Sequence, residues 1–197
     1  MKLQAPPLSL YIHIPWCVRK CPYCDFNSHA GQPDEEAYVE ALIADLAADT
    51  GDVSNRPVGS IFFGGGTPSL FSSAAISRIL VAVREQLQLA DDVEITLEAN
   101  PGTADAGHFA GYRAAGVNRL SIGVQSFDDG ALGFLGRAHD AATARRSAEA
   151  LLDAGFPTVS VDLIFGLPDQ EAAAWRRSLE TALGLADGVA EIEIVKP

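Results

Sequence analysis

The three cysteines of this 197-residue chain, Cys17, Cys21 and Cys24, fall within eight residues at the spacing C-x3-C-x2-C. A short loop carrying three thiolates can wrap one corner of a cubane iron–sulfur cluster, because each sulfur reaches a different iron. Three ligands for four irons leave one iron open to a small molecule, so the spacing describes a reaction centre. The competing reading is structural zinc, which needs a fourth ligand that His13 or His29 could supply. Zinc sites more often pair two C-x2-C knuckles, and only one is present here. A disulfide framework conflicts with the odd cysteine count, and residues 1–30 lack the charged head and apolar core of a signal peptide. The expected compartment is the cytoplasm, where thiols stay reduced.

The composition bounds the rest. With 48% hydrophobic and 20% charged residues the chain has the balance of a globular domain, long enough for one sizeable core. Its net charge of −12 gives nucleic acid no basic face to bind. Arg145-Arg146 and Arg176-Arg177 fall within helical patterns and read as solvated faces. No apolar run approaches the roughly 20 residues of a membrane-spanning helix.

The elements that must position the cysteine loop follow from periodicity. After a leading segment, residues 1–7, the run Leu8 to Ile14 predicts a first strand, and the cysteine loop follows it. Further strands are expected over Val58–Phe63, Val93–Ala99, Arg119–Gln125, Thr158–Phe165 and Val189–Lys196. Helical spacing separates them: one helix follows Pro33, one opens at Ser72-Ser73, one at Thr103, and one at Asp169. Between Gln125 and Thr158 a short helical segment near Asp129–Leu135 precedes a longer one near Ala141–Ala154. Strict alternation of strand and helix without hairpin signals predicts a parallel sheet.

Six strands are too few for a closed eight-stranded barrel, which leaves an open doubly wound sheet or a partial (βα)6 barrel. Polar residues decide between them. Glu94, Thr96 and Glu98 alternate with apolar residues in one strand, and Thr158, Ser160 and Asp162 do so in another. A parallel strand covered by helices on both faces is nearly all apolar. One polar face therefore favours the α/β partial barrel of TIM type with a hydrated lumen. The unusual residues also collect at strand carboxyl ends, where parallel α/β folds keep their active sites. The cysteine loop follows strand one, Gly64-Gly65-Gly66-Thr67 follows strand two, Glu98 and Gln125 end strands three and four, and Asp162 lies late in strand five. Three successive glycines exceed what a turn requires and let backbone approach a ligand closely. No Gly-Lys-Ser/Thr follows them, so this is no P-loop.

The stretch Tyr11-Ile12-His13-Ile14-Pro15-Trp16-Cys17, with Cys21-Pro22-Tyr23-Cys24-Asp25-Phe26-Asn27-Ser28-His29, resembles the signature of the radical S-adenosylmethionine (radical SAM) superfamily. Within it the wording is similar to the branch of oxygen-independent coproporphyrinogen III oxidases and HemW-type haem chaperones. The resemblance implies that Cys17, Cys21 and Cys24 ligate a [4Fe-4S] cluster, with the amino and carboxylate groups of S-adenosylmethionine on the open iron. It places Gly65, Gly66 and Thr67 at the methionine amino group, and Tyr11 and Tyr23 near the cluster and adenine. Glu98, Gln125, Arg137 and Asp162 match the remaining contacts to the ligand's amino acid and ribose. The implied chemistry is reductive cleavage of the sulfonium to a 5′-deoxyadenosyl radical. The implied partners are haem or a porphyrinogen, and an electron donor such as flavodoxin or ferredoxin.

Two departures shape the expectation. The oxidases carry a further cysteine two residues after the third ligand, where this chain has Phe26, and Asp25 to His29 reads like the haem-chaperone branch. Family members also continue well past this point into a C-terminal domain with a haem motif, which residues 8–197 do not contain. The expectation is thus a truncated haem-chaperone-like core, with oxidative decarboxylation of coproporphyrinogen III as one alternative and a non-catalytic zinc- or haem-binding module as another. For haem ligation only the scattered His13, His29, His108 and His139 are available.

Overall fold

The computed structural model describes residues 5–53, 55–103, 106–185 and 190–195. Its main sheet has six parallel strands: β1 (Leu8–Ile14), β4 (Val58–Gly65), β5 (Leu89–Ala99), β6 (Arg119–Gln125), β7 (Thr158–Ile164) and β8 (Ala190–Val195). They lie side by side in chain order. A doubly wound sheet reverses its order at a switch point. Sequential order is that of a (βα)6 partial barrel, as the polar faces predicted.

The alternation of each strand sorts its residues. Ile12, Ile14, Ile61, Phe63, Ile95, Leu97, Leu120, Ile122, Val159 and Leu163 are buried in one continuous core. Helices α1 (Glu35–Asp49), α2 (Ser73–Gln86), α3 (Ala106–Ala115), α4 (Asp129–Phe134), α5 (Ala141–Asp153) and α6 (Ala172–Leu185) connect the strands. Four helix starts carry the capping chemistry visible in the sequence: Asp34, Ser72, Asp128 and Asp140 each accept a hydrogen bond from the backbone N–H three residues on.

Some boundaries differ from the sequence reading. β5 begins at Leu89, because Val58 pairs with Leu89 across a register shift; the acidic Asp91-Asp92 reads locally as a turn but is carried by that pairing. Asp169 does not open α6. It adopts φ 58° in a turn where the Gln170 side chain accepts from the Gly166 and Leu167 N–H groups, and the helix starts at Ala172. α3 is described from Ala106; Ala104 and Asp105 lie outside the described residues, as do Val189 and Lys196 of the expected last strand and residues 1–4 of the leading segment.

The cysteine loop is not a plain loop. Trp16–Cys17 (β2) pairs in parallel with His29–Ala30 (β3), closing its neck. The same neck lies on the end of β4: Gly66 N–H donates to the Ile14 carbonyl and Thr67 N–H to the Trp16 carbonyl, both at 2.7 Å. Only glycine permits this approach, since a Cβ at Gly66 would collide with the Trp16 carbonyl and stand 2.9 Å from the Ile14 oxygen. Gly66→Ala is expected to destabilise by about 1–3 kcal/mol in urea unfolding. Gly133→Ala, in α4 with nothing within 4 Å of the new Cβ, should be neutral or stabilising by up to about 1 kcal/mol.

Candidate functional site

A cavity of about 1050 Å³ opens at the carboxyl ends of the strands. Its wall contains Cys17, Cys21, Cys24, Tyr23, Gly65, Gly66, Thr67, Glu98, Gln125, Arg137 and Asp162, which are all of the sequence-chosen site residues except Tyr11. Tyr11 stands beside it, half-exposed on β1, its ring stacked on Phe62 of the wall at 6.2 Å between centroids. Its contact with the cysteine loop runs through His13. The His13 Nε2–H donates to the Asn27 carbonyl at 2.8 Å, which leaves Nδ1 to accept from the Tyr11 hydroxyl at 3.1 Å.

Each part of the wall has a physical reason for its place. Cys17 is buried in β2, and Cys21 and Cys24 are half-buried on a turn closed by Cys24 N–H on the Cys21 carbonyl. The turn docks on the β6–α5 connection. Arg19 donates to the Gly136 carbonyl, and Pro22 lies so near Gly136 that a Cβ there would come within 2.7 Å of it. Gly136, at φ 66°, leads directly into Arg137. The glycine segment offers a ligand less than its composition suggests. Gly65 N–H is taken by the Glu98 carboxylate, and those of Gly66 and Thr67 by the loop neck. The hydrogen bonding it can still offer is carbonyl, which suits an ammonium group.

Arg137 is fixed from several sides. Nη2 donates to the Asn100 side-chain oxygen and to the Gly123 carbonyl at 2.7 Å, and Nη1 to the Tyr23 hydroxyl at 3.3 Å and the Cys21 sulfur at 3.6 Å. Its Nε is buried with no partner among the described residues. Such an N–H costs about 1–3 kcal/mol unless an acceptor reaches it. Asn100 also donates to the Thr67 hydroxyl at 2.8 Å, and so links the glycine segment to Arg137. Gln125 ends β6 in the left-handed region, φ 67°, where pairing with β7 slips. A side chain held there is strained by about 1–3 kcal/mol, a feature that clusters at ligand sites.

The floor of the wall is acidic. Burial raises the Glu98 carboxyl to about 7, helped by the nearby Asp162 charge. Burial also raises Asp162 to about 6, against the Ser121 hydroxyl that donates to both its oxygens at 2.8 and 3.0 Å. Glu193 of β8 adds a third negative charge that raises both. His139, beside Arg137, is held neutral, lowered to about 4 by burial and by the Arg137 charge, with Nε2 on the Val124 carbonyl.

Asn100, Gly123 and Glu193 belong to this wall and were missed in the sequence reading, which named His139, also on the wall, only among scattered haem-ligand candidates. Parity was the available signal for two of them: Gly123 is two residues from Gln125, and Glu191 and Glu193 alternate with Ile192 and Ile194. Gly123 matters because it has no side chain. A Cβ there would stand 2.8 Å from the Gln125 amide and 3.0 Å from Asn100.

Among the described residues no three His, Cys, Asp or Glu side chains converge on a single ion, the arrangement one zinc requires. His13, a possible fourth zinc ligand, has both ring nitrogens engaged. All three thiols lie on one wall of the cavity, as a cluster held at three of its corners would need. Paired carboxylates facing an arginine with an unsatisfied Nε fit a ligand that is cationic but carries a carboxylate.

The radical SAM superfamily model matches residues 11–182. The chain belongs to that superfamily. Membership implies a [4Fe-4S] cluster and S-adenosylmethionine. The chain is 53% identical over 184 residues to the haem chaperone HemW of Escherichia coli (strain K12), covering 92% of this chain and 47% of that protein. It is 48% identical over 189 residues to HemW of Haemophilus influenzae (strain ATCC 51907 / DSM 11121 / KW20 / Rd), covering 93% and 49%. Its fold is similar to that of the radical SAM coproporphyrinogen III oxidase (HemN) from Escherichia coli, with a TM-score of 0.84, 31% identity, and coverage of 95% of this chain and 44% of that one. The chain thus spans about half the length of the curated relatives it matches. Among the described residues no helix is long and apolar enough to cross a membrane.

The raised carboxyls fix the sign of a pH dependence. An acid whose folded pKa is raised contributes stability below its unfolded pKa and loses it as pH rises through the folded one. Glu98, from 4.5 to about 7, and Asp162, from 3.8 to about 6, should therefore destabilise the ligand-free protein as pH rises. His139 acts oppositely, but only as pH falls below its ordinary 6.5. Between pH 6.5 and 8.5 the urea midpoint of the cluster-free protein should fall. Glu98→Gln should flatten that slope, and a wild-type midpoint independent of pH would contradict the assignment.

Proposed function

We propose that this chain is the radical SAM core of a HemW-like protein of porphyrin and haem metabolism, the core domain occupying residues 8–197. Cys17, Cys21 and Cys24 hold three irons of a [4Fe-4S] cluster, and S-adenosylmethionine binds at the fourth. The observation that carries the reading is one cavity whose wall joins the three thiols to half-buried carboxylates and to an arginine with an unsatisfied N–H.

The residues divide the work by their chemistry. The carbonyls of Gly65 and Gly66, with Thr67, receive the ammonium group. Glu98 and Asp162 ionise against the ligand's positive charge and accept from its ammonium and ribose hydroxyls. Arg137 Nε supplies the donor for the ligand carboxylate, and Gln125 adds an amide at the same strand end. Tyr23, within the cluster loop, ties that loop to Arg137, and Tyr11 steadies it through His13 and Asn27. When bound, the cluster and its ligand supply one-electron reductive cleavage of a sulfonium C–S bond. The wall's task is to hold the sulfonium in register and exclude water. An electron donor of flavodoxin or ferredoxin type is part of the proposal.

Haem is the proposed cargo. The curated relatives are named haem chaperones, and Phe26, 63% exposed at the cavity mouth, stands where the oxidases have a further cysteine. The oxidase fold similarity keeps decarboxylation as the second reading. Two assays on the anaerobically reconstituted protein separate them. Saturable haem uptake followed by its Soret band, with no decarboxylated product from coproporphyrinogen III, is expected. Decarboxylated product in the presence of S-adenosylmethionine and a reductant would instead establish the oxidase reading.

A further inference from the structure

Arg137 differs from an ordinary ligand-binding arginine in where its second nitrogen points. Among the described residues Cys21 is the only one of the three cysteines whose sulfur receives a side-chain hydrogen bond from a charged group, Nη1 at 3.6 Å. The Tyr23 phenol accepts from the same Nη1 at 3.3 Å. Among the described residues no carboxylate pairs with the guanidinium. Its remaining bonds go to the neutral oxygens of Asn100 and Gly123, which lock the planar fork in place. Among the described residues other arginines do form ion pairs: Arg78 with Glu36, and Arg119, at the Asp162 end of the cavity wall, with Glu191. A full positive charge is thus held against one thiol by a residue 116 positions away in sequence.

We infer that Arg137 is a positioning and tuning residue for the cluster, acting on the Cys21 sulfur before any S-adenosylmethionine arrives. This rests on the reading of the cavity given under the proposed function. Hydrogen bonds to the sulfurs, local net charge and solvent exposure set the potentials of iron–sulfur clusters. A cation donating to a thiolate ligand stabilises the state with one more electron, so Arg137 raises the midpoint of the one-electron couple. The acidic floor formed by Glu98, Asp162 and Glu193 pulls it the other way. Arg137 is the charge that offsets this on the cluster side. Asn100 serves by being neutral, since an aspartate there would pair with the guanidinium and cancel its field.

The test is an EPR-monitored potentiometric titration of the reconstituted protein without S-adenosylmethionine, with dithionite as electron source. Wild type, Arg137→Gln and Asn100→Asp are compared after iron and sulfide are counted for each. Asn100→Asp keeps the arginine and guards against a variant that merely fails to hold the cluster. Both substitutions are expected to make reduction at least tenfold less favourable, a fall of about 59 mV for one electron. Midpoints equal to wild type in the ligand-free state, with only the affinity for S-adenosylmethionine reduced, would overturn the inference and leave Arg137 as a ligand contact. Failure of the wild type itself to take up a cluster would overturn the cavity reading beneath it. The two failures are therefore distinguishable.

Discussion

The arrangement of the site depends on one backbone junction. The chain leaves β1, crosses the end of β4, and is held there by two N–H groups from Gly66 and Thr67 donating to the Ile14 and Trp16 carbonyls. Side chains are excluded from the contact, since a Cβ at Gly66 would enter the backbone of Trp16. The pairing of Trp16–Cys17 with His29–Ala30 closes the other side of the neck. Beneath it, Trp16, Tyr38 and Phe71 pack edge to face, and the Tyr38 hydroxyl donates to the His13 carbonyl. The three thiols are thereby carried on a loop whose base is as fixed as the sheet.

Charge determines what that loop faces. Desolvation disfavours a charged carboxylate, and Glu98 and Asp162 respond by holding their protons toward the neutral range. Opposite them, Arg137 spends its hydrogen bonds on neutral acceptors and keeps its charge. A wall with negative charge on one side and positive charge on the other is complementary to an amino-acid ligand bearing a sulfonium. The glycine segment adds only acceptors, because its N–H groups are used in holding the loop and Glu98. One short sequence therefore serves both the fold and the site.

Much of this was legible in the residues. The polar alternation of Glu94, Thr96 and Glu98 favoured a partial barrel, and the sequential strand order bears that out. The thiol spacing and the pile-up of Glu98, Gln125 and Asp162 at strand ends pointed to the cavity. What stayed hidden depends on contacts distant in sequence. Asn100 and Gly123 have no chemistry that stands out locally, and matter only because Arg137 reaches both. The glycines were read as ligand backbone; that His13, Trp16 and Phe62 also fill their Cβ space is a packing reason no local pattern reports. Tyr11 matched a motif near the ligand; its stacking on Phe62 of the wall and its link through His13 to the loop follow from strand geometry that no local pattern reports. The pairing of β2 with β3 spans too few residues to give any periodic signal.

The central claim is that the thiols and the charged wall form one site, with the ligand meeting the cluster at an open iron. The most direct measurement is the EPR spectrum of the dithionite-reduced, anaerobically reconstituted protein, recorded with and without S-adenosylmethionine. The account predicts about four irons per chain and a spectrum whose g-values change when S-adenosylmethionine is added. A reducible cluster whose spectrum is indifferent to S-adenosylmethionine, or one zinc per chain in place of iron, would contradict it.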